Sequence, residues 1–406
     1  MVDHSIDNVS LDGKTSSRES GGVSIGSKGI TIQRLALHNF RNHIATVLEM
    51  DARPVCLFGA NGAGKTNLLE AVSMLGPGKG LRAASLPSLI RTEAGCAVAG
   101  GWAISARMDD CGLDRQISVG LDVSAEGRTR RVAKLDDAAV SQTDLAELIR
   151  VVWLTPAMDR VFAGPAGDRR KFYDRQVLAH TPAHGGASAV YEKAMRERNA
   201  LFERGRADPS WLDALEDRLA QSGAAIAVNR VSAMERIQAA IDARPEGHFP
   251  KADISISGKF EEMAFRGDSL QEIEVAIRDT LKAGRGRDSV AGRTLTGVHR
   301  SDLVVVHRPK QLPASQCSTG EQKALLMGLI LANAKALLEG DFAPNPLLLL
   351  DEAAAHLDSV RRAALYDELA ALGGQAWLTG TDAGLFDAFG SRAQRFCVEN
   401  GKVSKV

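Results

Sequence analysis

Eight consecutive residues, GANGAGKT at positions 59–66, restrict this chain more than any other part of it. They match G-x-x-x-x-G-K-[ST] at every fixed position. A short apolar run, VCLF at 55–58, precedes them and suits a buried strand. A helical pattern follows, with Leu68, Leu69, Val72 and Leu75 on one face. Strand, glycine-rich loop and helix in that order form a phosphate cradle. Gly59, Gly62 and Gly64 can take backbone angles that a Cβ forbids. Their N–H groups, with those of Ala60, Asn61 and Ala63, can then turn inward as an anion nest. The helix starting near Lys65 aims its positive end at the same point. Lys65 supplies a point charge for the β- and γ-phosphates, and Thr66 offers a hydroxyl to Mg2+.

A second stretch supplies what the loop lacks. LLLL at 347–350 ends in Asp351 and Glu352. An unbroken apolar run fits a central parallel strand covered on both faces, and ligands bind beyond the carboxyl ends of such strands. Asp351 can hold Mg2+ there, directly or through water. Glu352 can polarise an attacking water as general base. Upstream, Ser318 and Glu321 have capping-box spacing at the start of a helix expected to run to about Leu338. A helix start carrying Ser318 and Gly320 can also bind a γ-phosphate, including one held by a second subunit.

Composition sets outer bounds. The 406 residues suffice for two domains. Lys+Arg and Asp+Glu both number 50, so DNA contact would need a local basic face, not a global field. Cys56, Cys96, Cys111, Cys317 and Cys397 are scattered without a C-x-x-C, which fits reduced thiols and argues against a zinc site. There is no apolar run of about 18 residues and no signal-like start, so the expectation is a soluble, cytoplasmic protein without a membrane partner.

In chain order, residues 1–28 are rich in Ser, Gly and Asp and read as a disordered tail. ITIQRLAL at 30–37 alternates as a strand does. The polar turn after it leaves open whether Phe40 or Arg41 approaches a nucleotide. Residues 96–135 read as a meander of short strands, and 151–154 as a buried strand. In GPAGDRRKFYDR at 164–175, Arg169 and Arg170 could pair with carboxylates or with phosphate. Residues 187–243 read as a helical hairpin whose second run starts at Pro209. A strand at 254–257, a helix at 270–281 and a strand over 297–307 follow. AGRGRDSVAGR at 283–293 reads as a mobile loop facing nucleic acid. On charge alone, the DNA-contact candidates are Arg128, Arg130 and Arg131 in the meander and Arg285, Arg287 and Arg293 in that loop.

GANGAGKT, STGEQK and LLLLDEAAAHLD, in this order, resemble the three nucleotide motifs of the ATP-binding-cassette superfamily, and within it the SMC, Rad50 and RecF branch. NFRNH (39–43), TNLLEA (66–71), GPAGDRRKFYD (164–174) and GVHRSDL (297–303) are similar to motifs of the RecF family itself. The resemblance covers the chain from about residue 30 onward. It implies an α/β fold, with a P-loop ABC-type ATPase head of mixed sheet and antiparallel β meander, plus a largely helical second lobe. The head would comprise 29–165 and 291–406, and the helical arm 166–290. It implies ATP and Mg2+ as cofactors, and an ATP-dependent homodimer with two nucleotides between heads. Thr66 and Asp351 would hold Mg2+, and Glu352 would be catalytic. Ser318, Gly320 and Glu321 would reach the partner's ATP, and Asp358 would lie at the dimer seam beside His356. Family members bind single-stranded and gapped duplex DNA and act with RecO and RecR to load RecA in gap repair, replication and the SOS response.

One departure stands out. QAWLTGTD at 375–382 lacks the histidine that usually contacts the γ-phosphate, and Thr379 or Thr381 occupies that region. A weak, DNA-stimulated ATPase is expected, with ATP serving as a dimerisation switch. The usual glutamine loop has no evident place. The rival reading is an ATPase subunit serving a protein or membrane partner without DNA. The long insert between Lys65 and Gly320 argues against it, as does the missing histidine.

Overall fold

The structure is a computed structural model that describes residues 29–406 apart from 94–95, 98–99, 125–126, 206–207, 340–345 and 356. The tail expected over 1–28 and His356 therefore lie outside the described residues.

The chain builds two six-stranded sheets, the first from strands within residues 30–139 and the second from strands spread over residues 55–405. β1 (Ile30–Phe40) and β2 (His43–Glu49) form a hairpin. β1 buries Ile30 and Ile32, then Leu35 and Leu37. That one-residue slip in the alternation is absorbed by a bulge between Ile32 and Arg34. β3 (Val55–Phe58) leads into α1 (Lys65–Ser73). A two-residue pair, β4 (Thr92–Glu93) with β5 (Cys96–Ala97), precedes the meander of β6 (Ala103–Asp110), β7 (Leu113–Val123), β8 (Thr129–Leu135) and β9 (Ala138–Ala139). The first sheet is antiparallel, in the order β2-β1-β6-β7-β8-β9.

After α2 (Gln142–Leu148), β10 (Val151–Leu154) starts the second sheet. It pairs in parallel with β14 (Leu347–Leu350), which pairs with β15 (Ala376–Gly380), then β3, then β16 (Gln394–Glu399). β17 (Lys402–Lys405) closes that edge antiparallel, making the sheet mixed. The four leucines of β14 are at most 1% exposed, as a strand covered on both faces requires.

The sheets are joined through two buried glutamines. Gln375 accepts N–H groups from Ile32 (3.0 Å) and Trp377 Nε1 (3.2 Å), and donates to the carbonyls of Ile32 and Asp51 (both 2.9 Å). Gln394 accepts from Asp51 N–H (3.2 Å) and donates to Asp51 and Arg53 carbonyls. The Gln375 amide thus takes up backbone groups beside the bulge. Gln375→Leu should strand several of them without water, at about 2–4 kcal/mol. A denaturant midpoint indistinguishable from wild type would refute this role.

The middle of the chain is helical: α3 (Ala166–His180), α4 (Ala183–Glu203), α5 (Pro209–Ala243), α6 (Lys259–Phe265) and α7 (Leu270–Ala291). A three-stranded sheet lies among them, with β11 (Ala252–Ser257) against β12 (Asp302–His307) and β12 against β13 (Leu312–Pro313). Within 297–307, expected as strand throughout, residues 298–300 form a 3-10 turn and pairing starts at Asp302. Asp208 caps α5 by accepting N–H bonds from Ser210 and Trp211, with Pro209 in the first turn.

The segment 283–293 is not a loop, which corrects the sequence reading. It forms the last turns of α7 and its cap, Gly292, at φ 63°. Gly284 and Gly286 lower helix propensity by about 1 kcal/mol each. Tertiary contacts outweigh that: Leu281, Gly284 and Asp288 keep helical spacing on a buried face. Arg285 ties α7 to α5 through Glu216 (2.6 Å) and Asp213 (2.5 Å). Arg198 of α4 is fully buried between Glu216 (2.9 Å) and Asp288 (2.7 Å).

The motifs GPAGDRRKFYD and GVHRSDL meet in space. Arg169 forks onto Asp302 (2.7 and 2.6 Å), and Arg170 donates to the Ser301 carbonyl (2.6 Å). Beside them, Arg230 of α5 binds Asp174 of α3 (2.7 Å), Glu261 of α6 (2.7 Å) and the Val298 carbonyl (2.7 Å). Ser301 adds a hydroxyl to Glu261. Both open arginines therefore bind within the protein. Finally, α8 (Thr319–Leu338) and α9 (Ser359–Leu372) pack against the second sheet. No helix among the described residues is long and apolar enough to cross a membrane.

Candidate nucleotide site

The phosphate loop leaves β3 at Gly59, whose φ of 148° and closeness to β16 both exclude a side chain: a Cβ would come within 2.2 Å of the Val398 carbonyl oxygen. Gly64 caps α1 at φ 115°, where a Cβ would strike Asn42 and His43 at 2.7–2.9 Å. Lys65 folds over the loop and donates to the carbonyls of Gly59 (2.7 Å) and Ala60 (2.9 Å). Burial pulls its pKa down, opposed by Glu352 and Asp351.

The NFRNH turn braces this loop from the β1–β2 hairpin. Asn42 donates to the Ala63 carbonyl (3.0 Å) and accepts from Asn67 (2.8 Å). His43 is buried, which pushes its pKa below the usual imidazole value. Its Nε2 lies 3.2 Å from the Gly64 carbonyl, and its Nδ1 lies 3.0 Å from the Gly401 carbonyl and 3.1 Å from the Thr46 hydroxyl, which itself donates to Gly401 (3.0 Å). Phe40 is core, edge-on to Trp102 at 5.6 Å. Arg41 forks onto Glu70 of α1 (2.8 Å to each oxygen). Arg82 joins Asn67 (2.8 Å) and Glu70 (3.2 Å) and lines the cleft over the loop. Asn42, Asn67 and Arg82 escaped the sequence reading, because local spacing does not show that residue 42 reaches residues 63 and 67.

The carboxyl end of β14 arrives beside α1. Thr66 Oγ1 donates to Asp351 Oδ1 at 2.8 Å across 285 positions of sequence. Glu352 sits at φ 51°, a left-handed conformation uncommon for a residue with a side chain. Lys65, Thr66 and Glu352 line one cleft of about 130 Å3 with Asn61, Gly62, Gly64, Asn67 and Arg82. The donor set would suit Mg2+, since a hydroxyl and a carboxylate are both hard oxygens. Because the Thr66 proton is used on Asp351, its lone pairs remain for a cation.

Ser318 and Glu321 form the expected capping box at the start of α8. Ser318 Oγ accepts from Glu321 N–H (3.4 Å), and Glu321 accepts from Ser318 N–H (3.0 Å). Lys310 also pairs with Glu321 and, as the largest influence, brings its carboxyl down to about 2. Glu321 is thus committed within its own subunit. Ser318 and Gly320 are exposed and do not line the cleft over Lys65. A Cβ on Gly320 would touch nothing within 4 Å. Lys323, one turn on, binds Asp159 after β10 (2.8 Å). Asp358 caps α9, accepting the Arg361 N–H (2.8 Å) that lowers its pKa.

Two of the basic candidates are engaged within the chain. Arg131 donates to the carbonyls of Met74, Gly76 (2.8 Å) and Gly78 (2.6 Å) beyond the end of α1. Burial brings its pKa down to about 10. It fastens the end of α1 to β8. Arg285 is held in the α5–α7 ion pairs. Arg130 pairs with Asp122 (2.7 Å) but stays exposed, as do Arg128, Arg287 and Arg293.

A model of the family described as RecF/RecN/SMC N terminal domain matches residues 31–401. The chain is 48% identical over 368 residues to the DNA replication and repair protein RecF of Caulobacter sp. strain K31, covering 88% of this chain and 94% of that one. It is 49% identical over 376 residues to RecF of Mesorhizobium japonicum, covering 92% and 97%. Among solved structures, the recombination mediator protein RecF-ATPrS of the RecFOR pathway superposes with a TM-score of 0.79 at 20% identity, covering 94% of this chain and all of that one. The corresponding RecF-ATP structure gives 0.76 at 20% identity, covering 93% and 99%.

Proposed function

The chain belongs to the RecF family, and on that premise we propose that it is an ATP-switched, DNA-binding recombination mediator that works with RecO and RecR to load RecA at gaps. One observation carries the switch. Lys65, Thr66 and Glu352 line one cleft, with Asp351 hydrogen-bonded to Thr66 at its edge, while Ser318 and Gly320 stand exposed elsewhere on the same subunit. A glycine in a helix costs about 1 kcal/mol against alanine, and nothing among the described residues requires one at 320. A second copy bringing its α8 start onto the γ-phosphate supplies the reason: any Cβ there would stand between helix and phosphate.

In this reading residues 59–64 bind the phosphates through backbone N–H groups, and Lys65 moves from the loop carbonyls to the β- and γ-phosphates. Thr66 and Asp351 hold Mg2+, which would neutralise charge developing on the phosphates. Glu352 takes the proton of the attacking water. Ser318 and Gly320 reach the partner's ATP, Glu321 fixes the helix start behind them, and Asp358 lies at the seam. Residues 29–165 and 291–406 act as the head and 166–290 as the arm. The exposed Arg128, Arg130, Arg287 and Arg293 are the DNA-contact candidates. The setting is the cytoplasm, in replication, gap repair and the SOS response.

The direct test is light scattering on a gapped duplex, with and without ATP and Mg2+. An ATP-driven dimer that retains DNA supports the reading; a monomer indifferent to both refutes it. Glu352→Gln should slow hydrolysis about 100-fold or more while leaving the dimer long-lived, since binding survives loss of the base. A variant dimer that decays as fast as wild type would refute that role. DNA affinity should fall steeply with salt, with a log–log slope of about −3.6 for four phosphate contacts on duplex and about −2.8 on a single strand. Replacing Arg287 and Arg293 together by Ala should flatten that slope by about 1 to 2, measured by fluorescence anisotropy across a salt series.

A further inference from the structure

We propose that Thr379 is a positioning residue of the hydrolytic site, setting the metal-ligand carboxylate and the general base together; this rests on the ATP and Mg2+ reading above. β15 is buried along its whole length, and Thr379 is a hydroxyl within it at 0% exposure. Valine would fill the same strand position without burying a polar atom. The hydroxyl is fully used. It donates to Asp351 Oδ1 at 2.8 Å and accepts the Glu352 N–H at 2.8 Å. The direction is fixed, because an N–H can only donate and the hydroxyl proton must therefore go to Asp351.

One oxygen thus joins the side chain of the metal ligand to the backbone of the general base. Glu352 needs such a hold, since its φ of 51° is a conformation that side chains rarely adopt. Asp351 Oδ1 is held from two sides, by Thr379 of β15 and by Thr66 of α1. The second threonine in the region behaves differently: Thr381 is exposed and bonds only its neighbour Asp382 (3.2 Å). β15 therefore serves the Asp351–Glu352 pair from between β14 and β3, while the Thr379 hydroxyl itself bonds only on the β14 side among the described residues. Loss of its hydroxyl should disturb Mg2+ retention and hydrolysis while sparing nucleotide capture by the loop.

The test compares wild type, Thr379→Val and Thr379→Ser. Binding of a fluorescent ATP analogue is followed in EDTA and across a Mg2+ titration, and hydrolysis is measured at saturating nucleotide. In EDTA the three should bind within about twofold of one another. In Thr379→Val the Mg2+ needed for half-maximal retention should rise about tenfold and hydrolysis fall about tenfold, the worth of one hydrogen bond to a charged group. Thr379→Ser should recover most of both. If Thr379→Val does not fold, Thr379→Ala replaces it. A valine variant equal to wild type in Mg2+ titration and rate overturns the inference. So does one that loses EDTA-state binding and thermal stability equally, with serine giving no recovery. A wild type that binds no ATP overturns the underlying nucleotide reading as well, which separates the two failures.

Discussion

Lys65→Met is expected to lower ATP affinity about 100-fold or more and, at cellular nucleotide concentrations, to abolish ATP-driven dimerisation. Lys65 is 5% exposed and presses its ammonium onto the Gly59 and Ala60 carbonyls, so it already lies over the phosphate path. A charge-assisted contact to triphosphate in a partly enclosed cleft contributes roughly 3 kcal/mol, which corresponds to about two decades in the dissociation constant. Methionine keeps the length and apolar stem of lysine, so the loop should keep its shape. Its brace is independent of Lys65: Asn42 on Ala63 and His43 on Gly64 remain. Nucleotide titration and light scattering on the same samples give the answer. A variant that still dimerises with ATP at wild-type concentrations would mean the nucleotide is held elsewhere.

Arg230→Leu is expected to destabilise the fold by about 3–5 kcal/mol. Arg230 is 5% exposed and stands between Asp174 and Glu261, the latter 1% exposed. Its removal leaves a buried carboxylate without a counter-charge, the costly way to break such a pair. Burial works against the charged Asp174, yet His184 and Arg230 hold its carboxyl down to about 2. A carboxyl held below its unfolded pKa near 4 adds stability that is complete above that pH and lost as pH falls toward 2. Wild type should therefore weaken between about pH 4 and 2, and Arg230→Leu should lose much of that acid dependence. Urea melts across that range check both points. Adding Glu261→Gln should recover part of the loss at neutral pH. A single variant as stable as wild type would mean that the joint contributes little.

The sequence was most informative where function forces residue types into adjacent positions. The loop at 59–66, the acids after the leucines and the capping box at 318–321 each sit within a dozen residues, and their chemistry follows from local order alone. What escaped acts across distance. Asn42 holds residue 63 from the β1–β2 hairpin, and Thr379, noted in the sequence only as standing near the missing histidine, shows nothing locally of its bonds to Asp351 and Glu352. Gln375 reaches 343 positions back to Ile32. At 283–293 local and tertiary preferences conflict. Glycines and arginines argue for a loop, while Glu216, Asp213 and a buried face on α5 make it helix. Charge alone likewise could not separate Arg131, spent on carbonyls near α1, from Arg128, which is exposed.

The two glutamine amides between the sheets have no titratable proton and no net charge. Acid that protonates Asp174, or salt that screens exposed ion pairs, has no purchase on Gln375 and Gln394. The arm's ionic joint and the sheet seam therefore answer to different solvents. Acid between about pH 4 and 2 should release backbone amides around Asp174 and Ser301 to hydrogen exchange while those beside Ile32 and Asp51 stay protected.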